Sequence, residues 1–234
     1  MGEIVKFPSN GGEAQGYLAL PGSGKGPGVV VIQEWWGVNQ QIKEVCDRFA
    51  DEGFVALAPD LYRGKEVSLS EPDEAAKLMM ALNIEQAAKD MVGAVDYLRG
   101  HEAVTGDGVG VTGFCMGGGL ALWLATLRPD AVKAVAPYYG VIPWPAAQPD
   151  YSKLQAAVQG HYAENDDFAA PESVRKLEEE LKGLGKSVEF FIYPGAGHAF
   201  TNHHRPEAFH EEHSKTAWER TIAFFRRHLG GAGA

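Results

Sequence analysis

The segment VGVTGFCMGG, residues 109–118, contains the most informative pattern for the fold class. Its first four residues predict a short apolar strand, and the segment Leu120–Leu127 after the glycines predicts a helix. A cysteine, Cys115, occupies the turn between them, with Gly113 and Gly117 two residues to either side. A strand, turn and helix with this spacing fit the nucleophile-elbow pattern G-x-S-x-G, with cysteine in the place of serine.

The geometry of such a turn explains these residue types. Side chains two residues before and after the nucleophile would collide in so sharp a turn, so glycine fits both positions. Cys115 would lie at a helix N-terminus, where the helix dipole and free N–H groups stabilise a thiolate. A buried cysteine in a glycine-rich packing corner is the alternative, and a dinucleotide-binding loop fits less well because G-x-G-x-x-G is out of register. The second cysteine, Cys46, lies on an apolar helical face and is assigned to the core.

Strand-like and helix-like segments alternate along the chain on both sides of this motif. The other predicted strands are Glu3–Phe7, Ala14–Leu20, Val29–Ile32, Phe54–Ala58, Val132–Ala136, Ala156–Tyr162 and Val188–Tyr193. The other predicted helices are Asn39–Glu52, Glu74–Leu82, Ile84–Arg99, Pro171–Leu184 and Pro206–His228. This order predicts an α/β fold, one domain over residues 1–234, with a mostly parallel, doubly wound sheet of about seven or eight strands flanked by helices.

Composition and charge exclude several classes of protein. The 234 residues are 45% hydrophobic and 22% charged, and 21 Lys and Arg against 31 Asp and Glu give a net charge of −10. The acidic balance argues against nucleic acid as a partner and against a polybasic membrane surface. No apolar run approaches the roughly 18 residues of a membrane span, and the N-terminus lacks the apolar region of a signal peptide. We therefore expect a cytoplasmic protein without membrane association, and a monomer because no apolar stripe is left over after the core helices.

A cysteine nucleophile needs a base, and the base needs an acid that orients it. Enzymes with a nucleophile elbow carry these groups in the chain order nucleophile, acid, histidine. Asp166 and Asp167 stand just after a predicted strand, and His198 stands in the loop after the last strand. Both segments fall at the carboxyl ends of strands, where open α/β sheets bind their ligands.

The segment QEWWG, residues 33–37, follows another predicted strand directly. In enzymes with a nucleophile elbow, one N–H of the oxyanion hole comes from this turn and the other from the residue after the nucleophile. That rule nominates the backbone N–H groups of Trp35 and Met116. Glu34 follows a buried strand, which makes it difficult to assign as an ordinary surface carboxylate.

With these motifs the chain resembles the dienelactone hydrolase family of the α/β-hydrolase fold. The matching segments are QEWWG, APDLYRG, GFCMGG, DDF-x-x-P and YPGAGHAF, in the family's order, from about residue 30 to residue 229. The resemblance implies a catalytic triad of Cys115, Asp166 and His198 that works through a thioester acyl-enzyme and needs no cofactor. It selects Asp166 over Asp167 because the family's acid stands two residues before an aromatic residue, here Phe168.

The resemblance also implies a small-molecule ester or lactone as substrate, in particular a cyclic enol lactone that bears a carboxylate, from aromatic compound degradation. The family holds this carboxylate with arginines before the paired helices and shortly after the catalytic histidine. Here Ser68–Leu82 contains no arginine, and Asn202 stands four residues beyond His198. Arg205 is the candidate that would substitute, and Arg63 is a weaker one.

Aromatic side chains supply the candidate pocket walls. Trp36 and Tyr139 are predicted to contact substrate, with Trp35, Tyr138 and Trp144 as further candidates, although core packing would explain these rings equally well. Four histidines near the C-terminus are candidates for a metal site: His203, His204, His210 and His213. Of these, His210 and His213 are spaced to share a helix face. Nothing else in the sequence supports a water-activating metal, so we predict none.

The resemblance pairs Glu34 with the resting thiol of Cys115. A carboxylate within hydrogen-bond reach opposes ionisation of the thiol by like-charge repulsion and can accept its proton when substrate enters. Capping of a turn, or pairing with a surface lysine, is the alternative for Glu34. For the whole chain the alternative is a ligand-binding or redox-sensing protein on the same scaffold, with Cys115 as an oxidisable thiol.

Overall fold

The computed structural model describes residues 2–230, so the predicted domain limits at residues 1 and 234 lie outside the described residues. The strands are β1 Glu3–Ser9, β2 Gly12–Ala19, β3 Gly26–Ile32, β4 Val55–Pro59, β5 Val104–Phe114, β6 Val132–Tyr138, β7 Ala157–Asn165 and β8 Val188–Gly197. The helices are α1 Gln40–Asp51, α2 Pro72–Met80, α3 Ile84–Gly100, α4 Met116–Leu127, α5 Pro171–Gly183 and α6 Glu211–Leu229. Two short 3₁₀ turns, Pro145–Ala147 and Tyr151–Lys153, lie between β6 and β7.

All eight strands form one sheet, in the order β1-β2-β4-β3-β5-β6-β7-β8. The first two strands pair antiparallel, and β2 pairs antiparallel with β4, whereas every pair from β4 to β8 is parallel. This confirms the predicted mostly parallel sheet. In a parallel sheet the carboxyl ends of the strands meet at one edge, so the residues that follow β3, β5, β7 and β8 lie on the same side of the molecule.

The core lies on both faces of the sheet. Along β3 the side chains of Val30 and Ile32 belong to one apolar cluster, and those of Val29 and Val31 belong to the other. Helices α3 and α4 cover the first cluster, and α1 and α6 cover the second. A strand buried on both faces needs a continuous apolar run, and this is why the sequence of β3 does not alternate.

The largest differences from the predicted helix starts are at α4 and at the last helix. Helix α4 begins at Met116, directly after the cysteine, rather than at Leu120. The last helix begins at Glu211 rather than Pro206, because the His210 side chain caps it by accepting a hydrogen bond from the N–H of His213. The residues before it form hydrogen-bonded turns instead, in which Arg205 N–H donates to the Asn202 carbonyl at 3.0 Å.

Candidate active site

Cys115 lies where β5 meets α4, in a backbone conformation with φ 56° and ψ −122°. A positive φ is unfavourable for a residue with a side chain, at a cost of about 1–3 kcal/mol, and the surrounding bonds hold it in place. The Cys115 N–H donates to the Tyr138 carbonyl on β6 at 3.1 Å, and its carbonyl accepts from Gly118 N–H at 2.9 Å. This strained turn presents the thiol at the N-terminus of α4, and Cys115 lines a cavity.

The glycines beside the turn are required by close backbone contacts. A Cβ on Gly113 would collide with the carbonyl oxygen of Gly117, and a Cβ on Gly117 would collide with the carbonyl oxygens of Ile32 and Gln33. The start of α4 can therefore approach β3 and β5 only because Gly117 on the helix and Gly113 on β5 carry no side chains.

We expect Gly117→Ala to destabilise the protein by about 2 kcal/mol or more, because backbone must move to admit the methyl group. For a chain of this size that corresponds to a drop in Tm of about 5 °C, measured by thermal unfolding. Gly183→Ala at the end of α5 is the matched control, since a Cβ there meets nothing within 4 Å. Equal melting temperatures for the two variants would contradict the expected collision.

His198 follows β8 and is paired with an aspartate that follows β7. Its Nδ1 lies 2.8 Å from Oδ2 of Asp166, whose side chain is fully buried. The other oxygen of Asp166 accepts from the N–H groups of Phe168 and Ala169, at 2.8 and 2.9 Å. Asp167 is exposed. Of the two candidate aspartates, the structure thus brings Asp166 against the imidazole.

The charges of this pair stabilise each other. Burial raises the pKa of Asp166, but the hydrogen bonds from His198, Ala169 and Phe168 outweigh burial and bring it below its ordinary value. Burial likewise lowers the pKa of His198, whereas hydrogen bonds with Asp166 and Cys115 raise it, to about 10. The imidazole therefore favours its protonated form.

Glu34 follows β3 and is almost completely buried, with 2% of its surface exposed. Its Oε1 accepts a hydrogen bond from the Tyr139 hydroxyl at 3.2 Å, and its Oε2 accepts from Nδ2 of Asn202 at 2.9 Å. Burial raises the pKa of Glu34, although the His198 charge and these hydrogen bonds act in the opposite direction. The carboxylate is thus held by two neutral side chains rather than by a surface lysine.

A cavity of about 600 Å³ opens at the carboxyl edge of the sheet. Glu34, Cys115 and His198 line it, together with three of the predicted residues, Trp35, Trp36 and Arg205. Sites of this volume hold small organic ligands in many proteins.

The predicted contact of Tyr139 with substrate differs from what the structure shows. Tyr139 is fully buried and is not part of the cavity wall; its ring packs edge-on against His198 at a centroid distance of 5.0 Å. The reason is its hydroxyl, which bonds to Glu34 and, at 2.8 Å, to Thr201. Tyr138 and Trp144 are likewise buried away from the cavity.

The two candidate arginines lie in different places. Arg205 is on the cavity wall, where its Nε donates to Glu207 at 2.9 Å. Arg63 instead pairs with the buried Asp90 at 3.1 Å and does not line the cavity. Asn202, four residues beyond His198, is fully buried and holds Glu34.

Sequence reasoning did not assign Asn202, Thr201 or Phe168 to the site. Phe168 is 69% exposed, lines the cavity and lies 5.0 Å from the His198 ring. A polar residue in a turn and an aromatic residue in a loop carry no periodic signal. Only the fold reveals which side chains they meet.

Of the histidines considered for metal binding, two meet a carboxylate. Nε2 of His203 and Nε2 of His204 lie 2.9 and 2.8 Å from the same oxygen of Glu44 on α1. This trio has ligand atoms within 4.8 Å of one another and could hold a metal ion. His210 and His213 stack on each other at 3.9 Å, and Nε2 of His213 contacts the Pro194 carbonyl.

A mostly parallel sheet of this order, with a strained strand-to-helix turn that presents a potential nucleophile beside a histidine, defines an α/β-hydrolase. The profile of the dienelactone hydrolase family matches residues 14–229. The chain belongs to this family of hydrolases. Within residues 2–230, no helix combines the length and apolar character that crossing a membrane requires.

Similar proteins cover nearly the whole chain. "Protein usf" of Aquifex pyrophilus is 37% identical over 98% of this chain and 100% of its own. A "Putative carboxymethylenebutenolidase" of Aquifex aeolicus is 34% identical, with the same coverage. A crystal structure described as a "Putative Dienelactone Hydrolase" from Klebsiella pneumoniae has a TM-score of 0.85 and 27% identity, and the match covers 97% of this chain and 98% of that one.

Proposed function

We propose that the protein hydrolyses a carboxylic ester or lactone, with Cys115 as nucleophile, His198 as acid and base, and Asp166 as the residue that orients His198. The observation that carries this proposal is the position of the His198 imidazole. One side of it bonds to the buried Asp166 at 2.8 Å, and the ring lines the same cavity as Cys115, whose side chain raises the pKa of His198. A nucleophile, a base and an acid that orients the base, brought together at one cavity, are the arrangement that acyl transfer needs.

The reaction proceeds in two acyl-transfer steps. The Cys115 thiolate attacks the carbonyl carbon, and the backbone N–H groups of Trp35 and Met116 stabilise the resulting oxyanion. Met116 is the first residue of α4, so its N–H has no partner within the helix. The carbon–oxygen bond of the ester then breaks, His198 gives its proton to the leaving alcohol oxygen, and a thioester on Cys115 remains.

Water completes the turnover. His198, now neutral, takes a proton from a water molecule, and the hydroxide attacks the thioester carbon. The carbon–sulfur bond breaks, the acid is released, and the thiolate and imidazolium are restored. Asp166 holds the imidazole in one tautomer throughout and stabilises its protonated form.

Glu34 controls the charge on Cys115 in this scheme. It is buried beside the same cavity, and its elevated pKa makes it a suitable acceptor for the thiol proton, which it returns to Cys115 after the product leaves. Substrate that displaces the carboxylate from Tyr139 and Asn202 would bring it to the thiol.

We expect Glu34→Gln to move the alkylation of Cys115 by iodoacetamide to lower pH, because a neutral amide no longer opposes the thiolate by charge repulsion. Hydrolysis falls in the same variant, since the proton acceptor is lost. The measurement is the inactivation rate against pH for both proteins, with ester turnover alongside. Superimposable alkylation curves and full activity would remove Glu34 from the mechanism.

The substrate proposal is an enol lactone of the dienelactone type or a simple ester. The relative from Aquifex aeolicus carries the name of an enzyme for such a lactone. Arg205, on the cavity wall, would hold a substrate carboxylate. The test measures turnover of a dienelactone and of p-nitrophenyl acetate by the wild type and by Arg205→Gln. If Arg205 binds a substrate carboxylate, the substitution should weaken binding of the charged lactone and leave binding of the uncharged ester unchanged.

The test of the function is the acyl-enzyme itself. Protein mixed with p-nitrophenyl acetate and quenched in acid should carry an acetyl group on the peptide that contains Cys115, together with steady release of nitrophenol. A redox-sensing protein would instead show rapid oxidation of Cys115 by peroxide, without an acyl adduct or turnover. Turnover without any adduct on Cys115 would refute the cysteine mechanism.

A further inference from the structure

The cavity has walls of opposite character. The polar wall is formed by residues that follow strands: Glu34, Cys115, His198 and Arg205. The lining also includes Met79 on α2, Ile142 after β6, and Val174 and Leu177 on α5, which we call the apolar wall. Ser173 is the hydroxyl-bearing neighbour of this wall on α5, and it carries no charge.

The apolar wall exceeds what the chemistry requires. A carbonyl group and a leaving oxygen occupy only the space around Cys115, whereas the cavity measures about 600 Å³. That volume is in the range of sites for ligands much larger than one lactone ring. Apolar side chains that line an open cavity favour an apolar ligand, because burying apolar surface is the main favourable contribution to binding.

Phe168 extends the same surface towards solvent. Its ring is 69% exposed, an unusual state for a large aromatic side chain, and it touches both the cavity and the His198 ring. An apolar group of a substrate that extends away from Cys115 would therefore have Phe168, as well as α5, as an apolar contact.

We infer that the site accepts esters whose acyl group carries an extended apolar chain or ring, bound along the apolar wall. This rests on the proposed ester hydrolysis and adds the substrate class. The reacting carbonyl lies at Cys115, the apolar group contacts Met79, Ile142 and Leu177, and Arg205 is left for any charged substituent.

The test compares p-nitrophenyl acetate, butyrate and octanoate as substrates of the wild-type protein. Each additional buried methylene is worth about fourfold in binding. We therefore expect kcat/KM to rise by at least about tenfold from acetate to octanoate. A flat or falling series, with turnover intact, overturns the apolar subsite and leaves ester hydrolysis standing.

Matched variants on one helix locate the subsite. Met79→Gln should reduce the preference for octanoate over acetate, because a polar amide then faces the chain. Met80→Gln is the control, since Met80 is 58% exposed and lies outside the cavity. An equal loss in both variants, or none in either, contradicts the assignment of the apolar wall.

A second readout does not depend on turnover. Sodium octanoate should protect Cys115 of the wild type from iodoacetamide at concentrations at least about tenfold lower than sodium butyrate. Equal protection overturns the subsite even if no ester is hydrolysed. Absence of both turnover and an acyl adduct, with octanoate still protective, refutes the proposed hydrolysis and keeps the apolar binding site.

Discussion

Replacing Cys115 with alanine is expected to lower ester turnover by a factor of about 10³ or more. The variant keeps the oxyanion donors and the cavity but has no atom that can form the thioester. The residual rate should come from water attack on bound ester. Initial rates with p-nitrophenyl acetate and a dienelactone measure the effect, and the acetyl adduct should vanish with it. Wild-type turnover in the variant would refute the nucleophile assignment.

The chain supplies a matched control in its second cysteine. Cys46 is fully buried on α1, and burial raises the pKa of its thiol far above the ordinary value. It should therefore remain unmodified when iodoacetamide inactivates the protein, and Cys46→Ala should keep near-normal turnover. One alkylated cysteine per chain, located at Cys115, is the expected stoichiometry.

Asp166→Asn should lower kcat by a factor of about 10² or more, because an amide can hold the imidazole in the wrong tautomer and no longer stabilises its protonated form. The pKa of His198 should fall in the same variant. The hydrogen bond to Asp166 raises the pKa of His198, so its loss moves the His198 titration to lower pH, observable by NMR of the imidazole protons. Steady-state kinetics provide the rate effect.

Asp167→Asn tests whether the neighbouring carboxylate matters. Asp167 is exposed, whereas Asp166 holds His198 and two backbone N–H groups. We expect less than a threefold change in kcat for Asp167→Asn, in the range typical of exposed surface positions. Greater damage from Asp167→Asn than from Asp166→Asn would contradict the assignment.

The sequence predicts the sheet because its strands are short apolar runs and its turns are marked by glycine and proline. The exact start of α4 escaped prediction, since three consecutive glycines favour a loop by intrinsic propensity. In the folded chain their lack of side chains lets the helix contact the end of β3 and the end of β6 with the residues that follow it, and this packing outweighs propensity.

The residues of the site likewise fall into those that a local sequence pattern reveals and those that only the fold brings together. Cys115 and His198 stand in local patterns that a single sequence can reveal. The support of Glu34 depends on Tyr139 and Asn202, which are 105 and 168 residues away from it in the chain. Contacts of that range are set by strand order. This is why the sequence predicts Tyr139 as a wall of the pocket, whereas in the fold its hydroxyl bonds to Glu34.

The turn from His198 to Arg205 concentrates several tasks in one short piece of chain. It carries the imidazole, the amide of Asn202 that anchors Glu34, and the arginine on the cavity wall. An insertion or deletion there would disturb all three at once. The side chains of α2 and α5 that face the cavity share none of these bonds. Diversification of substrate range, by evolution or by directed mutagenesis, can therefore proceed on those two helices while the reactive groups stay fixed.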